Sequence, residues 1–220
     1  MSARIVCISR TMAAGGESVG LTLAQRLGFR YIDDQIITRA AQLAQVDPRL
    51  VAEAEHRQPL LARLLDKLAA AQDLVGPMGM ATVGLPVEFF VSGPSGYKAT
   101  PDDLRGLIRA AIQEVAQEGR AVIVAHAASM ALSRVDGVLR VLVTAPADTR
   151  AQRIASDQGL AASAAVAAIA ASDRERRDYF LRFYKIKEEL PTHYDLVINT
   201  DRLTAGQVTD IITAAAQSGA

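Results

Sequence analysis

The sequence predicts a single α/β domain, residues 1–220, built on a parallel sheet. Three observations predict it. Ile5-Val6-Cys7-Ile8 is a continuous apolar run that ends at a small-residue turn, the pattern of a central strand buried on both faces. Beyond Gly15-Gly16, Val19, Leu23 and Leu27 recur at helical spacing, with Gly28 as the stop. Strand-like and helix-like segments then keep alternating, which is the signature of parallel crossover units.

Phe29 to Ile32 reads as a second short strand, ending at Asp33-Asp34. From Gln35 the pattern turns helical through Ile36, Ile37, Ala40 and Leu43. A further helix begins at Asp47-Pro48, and a third carries Leu61, Leu64, Leu65 and Leu68 on one side. Residues 34–75 thus form a helical region. Residues 76–103 are rich in Gly and Pro around an apolar island at Val87 to Val91, and read as an irregular excursion.

Leu104, Leu107, Ile108, Ala111, Ile112 and Val115 define an amphipathic helix. It leads through Gly119 to a strand at Ala121 to Ala125 and a helix near Ala127 to Leu132. Arg140 to Thr144 repeats the strand pattern, Pro146 starts a helix through Arg153, and Leu196 to Ile198 is the last strand before a helix from Ala205. Between them, the alanine-rich stretch Ala161 to Ala171 is helical because alanine is a strong helix former. The charged stretch Asp173 to Glu189 suits an arginine-bearing lid over phosphate.

Composition narrows the function. The 24 basic and 24 acidic residues cancel, so no net field favours nucleic acid or an anionic membrane, and phosphate recognition must come from local clusters. Cys7 is the only cysteine, which excludes an internal disulfide and a cysteine-rich zinc site and leaves it to fill the core. The three histidines make no metal-binding pair; His56 and His193 read as surface residues. No run approaches the roughly 20 apolar residues of a membrane span, and nothing resembles a secretory signal. The expected location is the cytoplasm.

The ordered motifs resemble the cytidylate kinase-like family. They are Ile8-Ser9-Arg10, Ala13-Ala14-Gly15-Gly16-Glu17, Tyr31-Ile32-Asp33, Ala121-Val122-Ile123-Val124, Val143-Thr144-Ala145-Pro146 with Arg150 and Arg153, Asp173 with Arg176, and Tyr194 to Thr200. The resemblance implies a three-layer P-loop nucleoside monophosphate kinase fold: a five-stranded parallel sheet, an acceptor-binding helical region and a lid, placed at about 157–190. It implies ATP-dependent phosphoryl transfer, with Mg2+, to CMP or a related acceptor.

Two departures qualify it. The usual phosphate loop ends in Gly-Lys and a hydroxyl residue, whereas this chain has Gly15-Gly16-Glu17-Ser18; members of this branch often lack that lysine too. Where the family commonly carries Gly-Arg-Gly or Gly-Arg-Cys, this chain has Ala125-His126-Ala127. A neutral histidine cannot reproduce the two parallel hydrogen bonds of arginine to phosphate. A weak or inactive nucleotide-binding regulatory protein is therefore the alternative to a kinase.

Phosphoryl transfer needs positioning and matched positive charge, which assigns roles to the remaining residues. Ala13, Ala14, Gly15, Gly16, Glu17 and Ser18 form the nucleotide-binding turn, where backbone N–H groups and the following helix face phosphate. The alternative is an ordinary strand-helix turn. Arg10 either replaces the missing lysine or makes a solvent-facing ion pair, and Ser18 either meets the metal or starts the helix. At Asp33-Asp34 the alternatives are an acceptor-side carboxylate and a helix cap, with Asp33 favoured for the first and Asp34 for the second. Arg150, Arg174 and Arg177 join Arg10 as catalytic candidates. His126, Arg153, Asp173 and Arg176 are substrate-binding candidates, with solvation the alternative for Arg153 and a helix-start bond for His126. Asn199 and Asp201 either fix the backbone near adenine or only shape their turn. Phe89-Phe90 offers a surface for a partner and leaves a homodimer open.

Overall fold

The computed structural model describes residues 2–33, 35–44, 48, 101–125 and 127–218. The expected helices beyond Asp47, the Gly/Pro-rich stretch 76–100, Asp34 and His126 lie outside them.

Apolar β-branched residues put β1 (Ile5–Arg10) at the centre of the sheet, where both faces are covered. Around it, β2 (Arg30–Ile32), β3 (Ala121–Val124), β4 (Val138–Thr144) and β5 (Leu196–Asn199) complete a five-stranded sheet in the order β2-β3-β1-β4-β5. Every pairing is parallel, with Ile8 opposite Val124 on one side and Val141 on the other. The helices are α1 (Gly16–Leu27), α2 (Gln35–Ala44), α3 (Pro101–Glu118), α4 (Ala128–Ala131), α5 (Ala147–Gln158), α6 (Ala162–Tyr184) and α7 (Ala205–Ser218), with a 3-10 turn at Pro191–His193.

Strand alternation divides the core. Ile5, Cys7 and Ile123 face Ile36, Ala40, Ile108 and Ile112 of α2 and α3. Val6, Ile8, Val141, Val143 and Ile198 face Val19 and Leu23 of α1 and Val208 and Ile212 of α7. Burial of each such aliphatic side chain contributes about 1.5 to 3 kcal/mol. Cys7 is fully buried, and burial pushes its thiol pKa up, so it fills the core as expected. Leu142, on the α2 side of β4, meets Phe180 and Tyr194 instead, so the C-terminal half of α6 covers the part of this face that α2 and α3 leave free.

Several of the expected elements shift at their ends. Helix α3 begins at Pro101, not Leu104, taking the last residues of the 76–103 excursion into its first turn, where proline loses no intrahelical bond. Strand β4 starts at Val138, two residues before Arg140, because Val138 and Leu139 pair with Ile5 and Val6 of β1. The third strand ends at Val124, and Ala125 turns to a φ of 67°. The alanine-rich stretch and the charged stretch as far as Tyr184 form one helix of 23 residues, since no Gly or Pro interrupts them.

Candidate active site

The β1–α1 turn lies at the C-terminal edge of the sheet beside its central strand, where open α/β sheets bind ligands. Ala13 and Gly15 both adopt left-handed backbone, with φ of 59° and 81°. The amides of the first turn of α1 have no intrahelical acceptor, so they offer an anion-binding end. Glycine is required at two places below. A Cβ on Gly16 would stand 2.7 Å from Arg10 Cβ, and one on Gly20 would stand 2.6 Å from Val124 Cγ2. The helix therefore packs tightly on β1 and β3.

The turn is held from outside by its carbonyls. Arg153 Nη1 donates to Ala13 O at 3.2 Å and to Thr200 Oγ1 at 3.0 Å, while its Nη2 donates to Thr200 O at 2.6 Å. Thr200 Oγ1 lies 3.0 Å from Ala14 O and 3.3 Å from Thr144 O. Met12 and Ala13 pack on Ile154 and Ile169 of α5 and α6. Arg153 is thus not solvated: it ties the turn to the end of β5.

Arg10 closes the turn on the other side. Its side chain crosses Gly16 and its Nη2 meets Glu17 at 2.7 Å, with the two side chains 25% and 47% exposed. Arg10 Nε is buried without a hydrogen-bond partner among the described residues. Ser18 Oγ donates to Gly15 O at 2.9 Å, the bond of a helix-start residue. Asp33 lies 3.4 Å from the Tyr31 hydroxyl. Burial first, then the negative charge of Asp33 and Glu17, pushes the Tyr31 pKa up to about 12. Arg10, Glu17, Tyr31 and Asp33 therefore share one end of the site.

The remaining arginines fall into two groups. Arg150 is 5% exposed at its side chain and clasps Asp173 of α6, with Nη1 and Nη2 donating at 2.9 and 2.7 Å and Nε donating to Ala145 O at 2.9 Å. Arg176 is also engaged: Nε and Nη2 donate to Glu189 at 2.7 and 2.6 Å, and Nη1 to Arg10 O at 2.9 Å. Burial opposes the charge of Arg176, but Glu189 outweighs it and its pKa is raised. Arg174 and Arg177 are exposed. Arg177 borders a hollow of about 290 Å³ between α5 and α6, shared with Asp148, Asp173, Val166 and Ile169.

Spacing did not single out Glu189, Tyr194 or Thr200 as anchors: Glu189 meets Arg176 and Tyr194 only once the chain turns after α6, and Thr200 meets Ala14 across 186 residues. Asn199 Oδ1 accepts from the Asp201 amide at 2.9 Å, and Thr149 Oγ1 donates to Asp201 at 2.5 Å, so both residues shape their turn. His193 Nδ1 accepts from the Leu190 amide at 3.2 Å.

A parallel sheet of order β2-β3-β1-β4-β5, with a left-handed glycine turn leading from the central strand into α1, is the P-loop kinase fold. Within that class, the profile of the cytidylate kinase-like family matches residues 5–202, and the chain belongs to that family. The cytidylate kinase of Sulfolobus acidocaldarius is 40% identical over 74 residues, covering 34% of this chain and 41% of that protein. That of Pyrococcus horikoshii is 32% identical over 102 residues, 46% of this chain and 52% of that protein. The chain thus spans about half the length of the curated relatives it matches. The solved structure of an uncharacterized protein from Eubacterium ventriosum superposes with a TM-score of 0.62 at 16% identity, covering 96% of this chain and 97% of that one.

Proposed function

We propose that this protein transfers the γ-phosphoryl group of ATP to a nucleoside monophosphate, with CMP the first acceptor to test. The carrying observation is the grip of Arg153 and Thr200 on the Ala13 and Ala14 carbonyls. Holding those oxygens outward leaves the N–H side of the turn for phosphate. Arg10 supplies positive charge from the end of β1, and its unpartnered Nε is a donor that a phosphate oxygen would satisfy.

The residues present suit Mg2+ and ATP. Mg2+ keeps several waters and takes phosphate oxygens, so it needs few protein ligands; Ser18, with its hydroxyl turned from Gly15 O, is the candidate. When bound, the ion neutralises charge on the transferred phosphate. Asp33 would accept from the acceptor nucleotide, and Arg174 and Arg177 would reach phosphate from α6, acting as the lid. Arg150, Asp173 and Arg176 would contribute by fixing that helix. One domain with a helical acceptor region at 34–75 and cytoplasmic location are part of the same reading.

A second reading is nucleotide binding without efficient transfer, in a regulatory protein. It is favoured by Glu17, which occupies the place of the usual loop lysine and engages Arg10. One experiment separates them: incubate the protein with ATP, Mg2+ and a panel of nucleoside monophosphates and resolve the products. Formation of ADP with a diphosphate supports the kinase. Nucleotide binding by calorimetry without any product supports the second reading.

A further inference from the structure

Arg176 leaves the middle of α6 and reaches the main chain of β1. Its Nη1 donates to Arg10 O at 2.9 Å, while the Thr11 amide donates to Val143 O at 3.1 Å. That carbonyl and that amide belong to one peptide unit, so the plane between Arg10 and Thr11 is held from both sides. One hold comes from the sheet and the other from α6. The Arg10 side chain starts at the edge of this plane and runs over Gly16.

Glu189 keeps Arg176 in place. It takes two hydrogen bonds from the guanidinium, at 2.7 and 2.6 Å, and one from the Tyr194 hydroxyl. The paired side chains are only 21% and 18% exposed, and the Arg176 guanidinium lies 4.8 Å from the Phe180 ring centroid. Phe180, Leu142, Met130 and Tyr194 already supply an apolar seat for the helix. Compared with an apolar pair of the same size, a half-buried ion pair gains little, because desolvation offsets the attraction, although removing one partner alone is costly. What it adds is one fixed geometry.

We propose that Arg176, Glu189 and Tyr194 are positioning residues that couple the docking of α6 to the orientation of Arg10 over the phosphate loop. When α6 lifts, the Arg10–Thr11 peptide loses one of its two holds and Arg10 loses its fixed aim. The nucleotide consequence rests on the reading of Arg10 as a phosphate contact; the mechanical coupling does not.

The test uses the full chain, with Glu189→Gln and the milder Tyr194→Phe made in the parent and in an Arg10→Ala background. Amide exchange is followed by mass spectrometry, and ADP affinity by calorimetry. In the parent, Glu189→Gln speeds exchange at residues 10–18 and weakens ADP binding roughly three- to thirtyfold; in Arg10→Ala the further loss stays within about twofold, the non-additivity of coupled residues. Tyr194→Phe moves both readouts the same way by less. The coupling is overturned if α6 exchanges faster while residues 10–18 do not, or if Glu189→Gln weakens ADP equally in both backgrounds. A folded parent that binds no ADP overturns the nucleotide reading alone, and exchange at residues 10–18 then decides the coupling.

Discussion

Arg150 and Asp173 meet between α5 and α6 with two parallel hydrogen bonds, on helices whose partners lie 23 residues apart in the chain. The guanidinium is 5% exposed and the carboxylate 27%. Asp173→Asn leaves a buried charge facing a neutral amide, and we expect a loss of about 2 to 4 kcal/mol in urea unfolding. A change below about 0.5 kcal/mol, ordinary for surface substitutions, would show the pair to be solvated.

Glu17 holds Arg10 in an ion pair, so a phosphate bound there, as proposed, would compete with it. Glu17→Gln removes the competing charge and should tighten ADP binding several-fold, whereas Arg10→Ala should weaken it about tenfold or more, the loss of one charged hydrogen bond. Calorimetry at fixed ionic strength checks both. Unchanged affinity in Arg10→Ala would leave the ion pair with Glu17 as the residue's whole role.

Two glycines should respond in opposite directions. Gly20→Ala forces a Cβ to within 2.6 Å of Val124 Cγ2, and overpacking of this kind costs about 1 to 3 kcal/mol. Gly106, inside α3, has open space where a Cβ would stand, with no atom of the described residues within 4 Å. Gly106→Ala should therefore stabilise by about 0.5 to 1 kcal/mol. Thermal unfolding of the two variants gives shifts of opposite sign if the packing is as described.

Acid should weaken the fold through Glu189 and Asp195. Burial opposes ionisation of each, but Arg176 outweighs it for Glu189 and Arg140 for Asp195, so both carboxyls are held below the usual carboxylate range. Their contribution is complete above the unfolded pKa, about 4, and is lost as pH falls through the folded values. Urea midpoints should hold steady down to about pH 5 and then fall, with a shallower fall in Glu189→Gln. At the alkaline end, Tyr31 ionises only near 12, so its contribution is present below about pH 10 and lost above it. A phenolate absorbance titration of Tyr31→Phe against the parent identifies that group.

Arg177 stands exposed at the hollow between α5 and α6, free of the carboxylate clasp that holds Arg150. As a lid donor it would act mainly in the transition state, so Arg177→Ala should lower turnover on the order of a hundredfold with little change in nucleotide affinity. Near-parent turnover at saturating substrates in both Arg177→Ala and Arg177→Lys would remove it from the site.

What could be read from the sequence followed local periodicity. The run Ile5 to Ile8 and the spacing of Val19, Leu23 and Leu27 placed β1, the turn and α1, and the apolar spacing from Leu107 to Val115 placed α3. Side-chain partnerships were another matter. Arg153 finds its acceptors at Ala13 and Thr200, 140 and 47 residues away, and Arg176 finds Arg10 across 166. Spacing along one helix says which arginines share a face, but not which of them meet a carboxylate after folding. The start of β4 was missed for the same reason, since Val138 and Leu139 find their partners at Ile5 and Val6, far away in the chain.

Thr200 touches Ala14 across 186 residues of chain, which sets the order in which the site can come into being. During synthesis, β1 and its turn emerge first, but the hydroxyl that secures Ala14 and the carbonyl that orients Arg153 arrive only with the end of β5. Contacts of such long sequence separation form late because chain closure must precede them. A fragment ending before residue 200 therefore carries every residue of the turn without the hydroxyl and the carbonyl that secure it.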